Sequence, residues 1–332
     1  MRSRILSLGM KYAIILATVT ILSFVLYSHP VLYAHTFSEN EDALFLTMIN
    51  KIKAQTQLVG SDLSTNIRQA QQHAEAARGL FAQKDPVVNT TWTSEISERN
   101  PRIVTDLLHS LDNLKTTVAT EPNSNPDSSS VQSKITNIGN LLDEAVSVRI
   151  SKDVLDNPKT QALVLANLGN KIYNNYGNAL GLSPSTVANM AGMSMSGITP
   201  NKGSSMNTKM TSGNGISEMI TVSDRSVMNQ PSASIKNLTA YQTAQSMAAV
   251  AQKVFDKDLK PIAPTNATNS NSHIANYLNQ IKNAVNNKSS FMNVMELVHV
   301  KLHPTLISAY NLQLSMPGMN MPLPSSMNMN IQ

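Results

Sequence analysis

The chain has 332 residues, enough for one large or two modest domains with a real hydrophobic core. Charged residues make up 14% and aromatics 5%, which excludes a Glu- and Lys-rich coiled coil and a charge-driven disordered chain. Arg2, Arg4 and Lys11 carry three of the five net positive charges, so residues 35–332 keep only +2. No basic stretch interleaved with aromatics argues for a nucleic-acid partner.

The first 11 residues form a basic n-region, and Tyr12–Tyr27 is an uncharged, mostly apolar run of 16 residues followed by SHPVLYA. That three-part shape predicts a secretory leader over 1–34, either cleaved after Ala34 or kept as a membrane anchor through residues 12–34. Both outcomes put the rest of the chain outside the cytoplasm, because the positive flank stays inside. Four Asn-x-Ser/Thr sequons, at Asn89, Asn237, Asn266 and Asn287, are compatible with that side of the membrane. The chain has no cysteine, so disulfides, thiol chemistry and thiolate metal sites are excluded.

From Asn40 onward the pattern is helical. Phe45, Ile49, Ile52, Val59, Leu63, Ile67, Ala70, Ala74, Ala77 and Phe81 recur every three or four residues and predict one very long helix over 40–83, kinked near Gly60. A second helix is expected over 93–119, with Pro101 in its first turns and a start as late as Asn100. A third covers 131–148 and a fourth 158–180. Trp92, between the first two, is expected to pack rather than to act. Short loops between four such helices give an up-down bundle over 35–182. Residues 183–232, rich in Gly, Ser, Asn, Thr and Met, are expected as a flexible loop. Helical periodicity returns over 235–259, 272–286 and 289–302, and His303-Pro304 restarts a short helix to about 313, in a segment (233–314) expected to pack on the first bundle. The tail 315–332 has no stripe and no charge. The predicted class is therefore all-α, a multi-helix up-down bundle with a Met-rich central loop and an irregular Met-rich tail.

Two sets of side chains carry candidate chemistry. Met190-x-x-Met193-x-Met195 and Met316-x-x-Met319-x-Met321 lie in the segments where no core is expected. Thioethers at such spacings suit Cu(I), and they equally suit packing of a loose segment onto a bundle. Glu296, His299 and His303 stand at i, i+3 and i+7, on one face of a helix, where a His pair at i, i+4 either chelates a metal ion or caps and packs the helix end before Pro304. Asp106-x-x-His109 repeats the acid–His spacing on the second helix, and His73 on the first falls within a few turns of His109 if the two form a hairpin. His35 becomes an N-terminal copper chelate if the leader is cut at Ala34. No GxSxG, P-loop, HExxH or dinucleotide fingerprint is present, and no catalytic residues are assigned.

The stretches HTFSENEDALFLTMINKIKAQTQLV (35–59), SEISERNPRIVTDLL (94–108), KIYNNYGNALG (171–181) and NKSSFMNVMELVHVKLHPTLISAYNL (287–312) resemble uncharacterised exported helical proteins of ammonia-oxidising archaea. The resemblance covers most of 35–312 and implies a surface setting in which copper enzymes are common. It carries no catalytic residue. Two functions are therefore expected: copper delivery or storage through the Met clusters and the His pair, or a structural or accessory subunit of a cell-surface or membrane assembly with a protein partner.

Overall fold

The computed structural model describes residues 36–37, 40–84, 91–119, 127–196 and 234–315. The leader, His35, the stretch 197–233 and the tail from Met316 lie outside the described residues. The class is all-α.

Helix α1 (Glu41–Asp62) starts where the sequence signals it. The Asn40 side chain accepts from the Ala43 N–H at 2.8 Å, and Glu41 and Asp42 occupy the first turn, where carboxylates suit the positive end of the helix dipole. The single long helix expected over 40–83 is instead a hairpin. The chain turns after Asp62, whose carbonyl accepts from the N–H groups of Thr65 and Asn66. Asn66 then caps α2 (Ile67–Phe81) by accepting from the Gln69 N–H. Helix α2 runs back along α1, so that His73 meets Gln55. Thr56, the polar break in the apolar stripe, is buried with its hydroxyl donated to the Lys53 carbonyl at 3.0 Å.

The next helix is interrupted at Asn100, giving α3 (Trp92–Arg99) and α4 (Pro101–Ala119), with proline at the first helical position as its chemistry favours. Asp127 caps α5 (Ser128–Arg149). Helices α1, α2, α4 and α5 close into an antiparallel four-helix bundle, marked by Arg78–Asp112 and Glu75–Lys115 between α2 and α4, Ser110–Asn137 between α4 and α5, and Lys53–Asp143 between α5 and α1. One end is clasped by Arg149, whose buried guanidinium bonds Glu41, Asp42 and Glu95 and lies over the rings of Phe45 and Trp92 at 4.5 and 5.6 Å.

After the short α6 (Lys152–Leu155) come α7 (Pro158–Ala179), α8 (Pro184–Ser196), α9 (Leu238–Val254), α10 (Thr268–Asn286), α11 (Phe291–Met295) and α12 (His303–Tyr310). Helices α7, α9, α10 and the α11–α12 arm form a second antiparallel set. Helix α1 packs on α7 and α9, so the two sets share one core. A two-residue ladder pairs β1 (Thr36–Phe37) with β2 (Leu314–Ser315). Helix α8 corrects the expectation of a loop from 183. Ser183 accepts from the Thr186 N–H at 3.0 Å and Pro184 takes the first helical position, both start signals.

Two π-helical turns interrupt the second set, Phe255–Leu259 after α9 and Glu296–Leu302 between α11 and α12. Each ends two residues before a proline, Pro261 and Pro304. A proline ring removes one donor and collides with the carbonyl four residues back, and the wider i→i+5 winding accommodates both. No helix among the described residues is long and apolar enough to cross a membrane.

Candidate functional site

The π turn before Pro304 shapes the His299–His303 site. Wider winding keeps residues four apart on one face and rotates a residue three apart away from it. His299 and His303 accordingly meet edge to face, ring centroids 4.9 Å apart and both rings 4% exposed. Glu296 does not join them: its carboxylate is about half exposed and pairs with Lys301 at 3.0 Å. The expected three-residue face is thus reduced to the two histidines.

Helix α7 supplies the floor. Gly169 lets the arm approach closely; a Cβ there would lie 3.1 Å from His303 Nε2. Through that gap His303 Nε2–H donates to the Ala166 carbonyl at 3.1 Å. A carbonyl can only accept, so Nε2 carries a proton. Tyr173 meets the His299 ring edge-on at 4.5 Å and stacks on Phe291 at 4.8 Å, while its hydroxyl donates to the Val187 carbonyl at 2.8 Å. Burial pushes the Tyr173 pKa far up, so the phenol stays neutral.

Met190 is buried on α8, which packs against both α7 and the π turn. Met193 and Met195 fall in the last turn of the same helix. Met316, Met319, Met321 and His35 lie outside the described residues. Asp106 and His109 stand toward solvent on α4, Asp106 paired with Arg102 at 3.2 Å, whereas His73 is fully buried; the structure does not bring His73 and His109 together. Among the described residues no group of three or more His, Asp or Glu is arranged to hold a metal ion.

Sequence reasoning passed over a second buried polar cluster. Gln55 and Asp62 of α1, His73 of α2 and Gln242 and Thr243 of α9 meet where the two helical sets join. No local spacing could have found it, because its members are 169 and 188 residues apart across the junction.

The chain matches no protein family, no curated protein and no solved structure.

Proposed function

We propose that this is an extracytoplasmic copper-binding protein, for delivery or storage, with His299 and His303 as the ligands within the helical body. The observation that carries the reading is the pair itself: two buried imidazoles 4.9 Å apart, one held in a fixed orientation by the Ala166 carbonyl. Donation of the second ring nitrogen to a carbonyl is the usual support of a metal-ligating histidine, since it orients the ring and raises its basicity. Imidazoles in a dry, aromatic-lined pocket suit Cu(I), and the neighbouring α8 carries the soft thioether of Met190. The Met316–Met321 cluster, outside the described residues, would then act as a capture segment, a role that follows from ligand softness alone.

The test is copper binding by the purified protein under reducing and oxidising conditions, with His299→Gln/His303→Gln and deletion of 315–332 measured separately. One equivalent lost on mutation of the histidines is the expected outcome. A protein that binds neither Cu(I) nor Cu(II) overturns the proposal and leaves the alternative, an accessory subunit of a surface assembly. Loss of a co-purifying membrane partner on deleting the tail would identify that alternative.

A further inference from the structure

The buried cluster at the junction of the two helical sets has a geometry that fixes where every hydrogen lies but one. Thr243 donates its hydroxyl to the Thr239 carbonyl at 2.8 Å, so it accepts from Gln55 Nε2 at 3.1 Å. The Gln55 carbonyl oxygen therefore faces His73 and accepts from Nδ1–H at 2.6 Å. On the other side, Gln242 Nε2 donates to Asp62 Oδ1 at 2.7 Å, which lays amide and carboxylate side by side with their other oxygens turned to the ring. His73 Nε2 thus faces two oxygens, Gln242 Oε1 at 3.2 Å and Asp62 Oδ2 at 3.4 Å. Asp62 Oδ2 is buried and has no hydrogen-bond partner, and the His73 ring is fully buried. The ring nitrogen thus faces an unpartnered carboxyl oxygen and an amide oxygen, contacts that a shared proton or a metal cation between them would satisfy.

A proton, on Nε2 or on Asp62 Oδ2, would be one such cation. It would draw the carboxylate in to the roughly 2.7–2.9 Å of a charge-assisted hydrogen bond, well short of the observed 3.4 Å. A metal ion fits the spacing better. Donors about 2.0–2.1 Å from a tetrahedral Zn2+ stand about 3.3–3.4 Å from one another, and the two observed separations are 3.2 and 3.4 Å. The Nδ1–H bond to Gln55 is the outer-shell support that a ligating imidazole needs.

We propose that His73 Nε2, Asp62 Oδ2 and Gln242 Oε1 form a divalent-metal site of Zn2+ type, separate from the His299–His303 pair, that ties the α1–α2 hairpin to α9. Three protein donors leave the fourth position to water, on the side of the half-buried Gln242. Bound metal holds the two helical sets together, so thermal stability depends on metal concentration.

Zn2+ titration of the metal-stripped full-length protein is expected to show one equivalent that raises Tm, and Co2+ the intense visible absorption of tetrahedral coordination. Both signals persist in His299→Gln/His303→Gln, so this proposal and the copper proposal fail independently. Affinity falls at least 10-fold in Asp62→Asn and His73→Gln. Gln242→Leu, at the rim, gives the same loss should the buried variants fail to fold. No Zn2+ or Co2+ equivalent on the folded protein, binding untouched by these substitutions, or nitrogen NMR showing both His73 ring nitrogens protonated in excess Zn2+ would each overturn it.

Discussion

Arg149→Leu removes a buried cation that serves three carboxylates at the end of the first bundle. Breaking a buried ion pair by deleting one partner costs about 3–5 kcal/mol. Several features of the site reduce that figure. Glu41 and Asp42 are more than a third exposed, and Glu95 17%, so water recovers part of their solvation. The first two also sit in the first turn of α1, where the helix dipole stabilises each by roughly 0.3–1 kcal/mol without the arginine. A leucine against Phe45 and Trp92 restores half of a buried apolar side chain's contribution, about 1 kcal/mol. The net expectation is a loss of about 2–3 kcal/mol. Urea unfolding followed by circular dichroism measures it, as a lower midpoint at unchanged slope. Arg149→Leu/Glu95→Gln should recover about 1 kcal/mol, because Glu95 is the most buried of the three acids. A loss under about 0.5 kcal/mol, or strict additivity of the two substitutions, would refute the clasp.

Two more substitutions of glycine have opposite expected signs. A Cβ at Gly177 would lie 2.5 Å from Val187 and 3.0 Å from Phe291, so Gly177→Ala should lower stability by about 1–2 kcal/mol despite the helix propensity gained. Gly139→Ala meets nothing within 4 Å and should raise it by roughly 0.5–1 kcal/mol in the same urea assay. Burial, with the Lys171 ammonium beside it, holds Lys51 down at about 8. The folded pKa lies below the unfolded one, so the penalty on the charged form is complete below pH 8 and fades as pH rises toward 10.5. Wild-type stability relative to Lys51→Met should therefore climb across that window; a flat difference between the two would contradict it.

Much of the fold could be read from periodicity and caps, and the failures have identifiable physics. Asn40, Asn100-Pro101 and Pro158 mark helix starts in sequence, and the structure begins helices beside each. The hairpin at Leu63–Asn66 was concealed because Leu63, Ile67 and Ala70 stay in phase: one straight helix and a helix folded on itself bury the same stripe. The local signal was Ser64-Thr65-Asn66 with Gln69 three residues past the cap, a cap-and-turn pattern outweighed by ten apolar residues in register. At Ser183-Pro184 the opposite error occurs. Gly, Ser and Met farther along set the composition of the whole stretch and masked Val187 and Met190, which carry the buried face of α8. The His299–His303 spacing was legible, but the rotation of Glu296 away from it depends on a π turn that only Pro304 hints at.

The arm holding that pair departs from the most stable packing in two adjacent places. A glycine inside a helix costs about 0.5–1 kcal/mol relative to alanine, yet α7 keeps Gly169 where it faces His303. A buried histidine needs an acceptor for its N–H, where leucine would need none. Each residue is explained by the other, since the missing Cβ lets Nε2 reach the Ala166 carbonyl. Local concessions that serve only one another are expected where function, not stability, decides the residue. Gly169→Ala alone should press on His303 Nε2 at 3.1 Å and weaken copper binding in a protein that stays folded. Gly169→Ala/His303→Leu should then exceed wild-type stability by about 0.5–1.5 kcal/mol while losing the metal. If the double variant is less stable than wild type, His303 is a packing residue and the copper assignment loses its support.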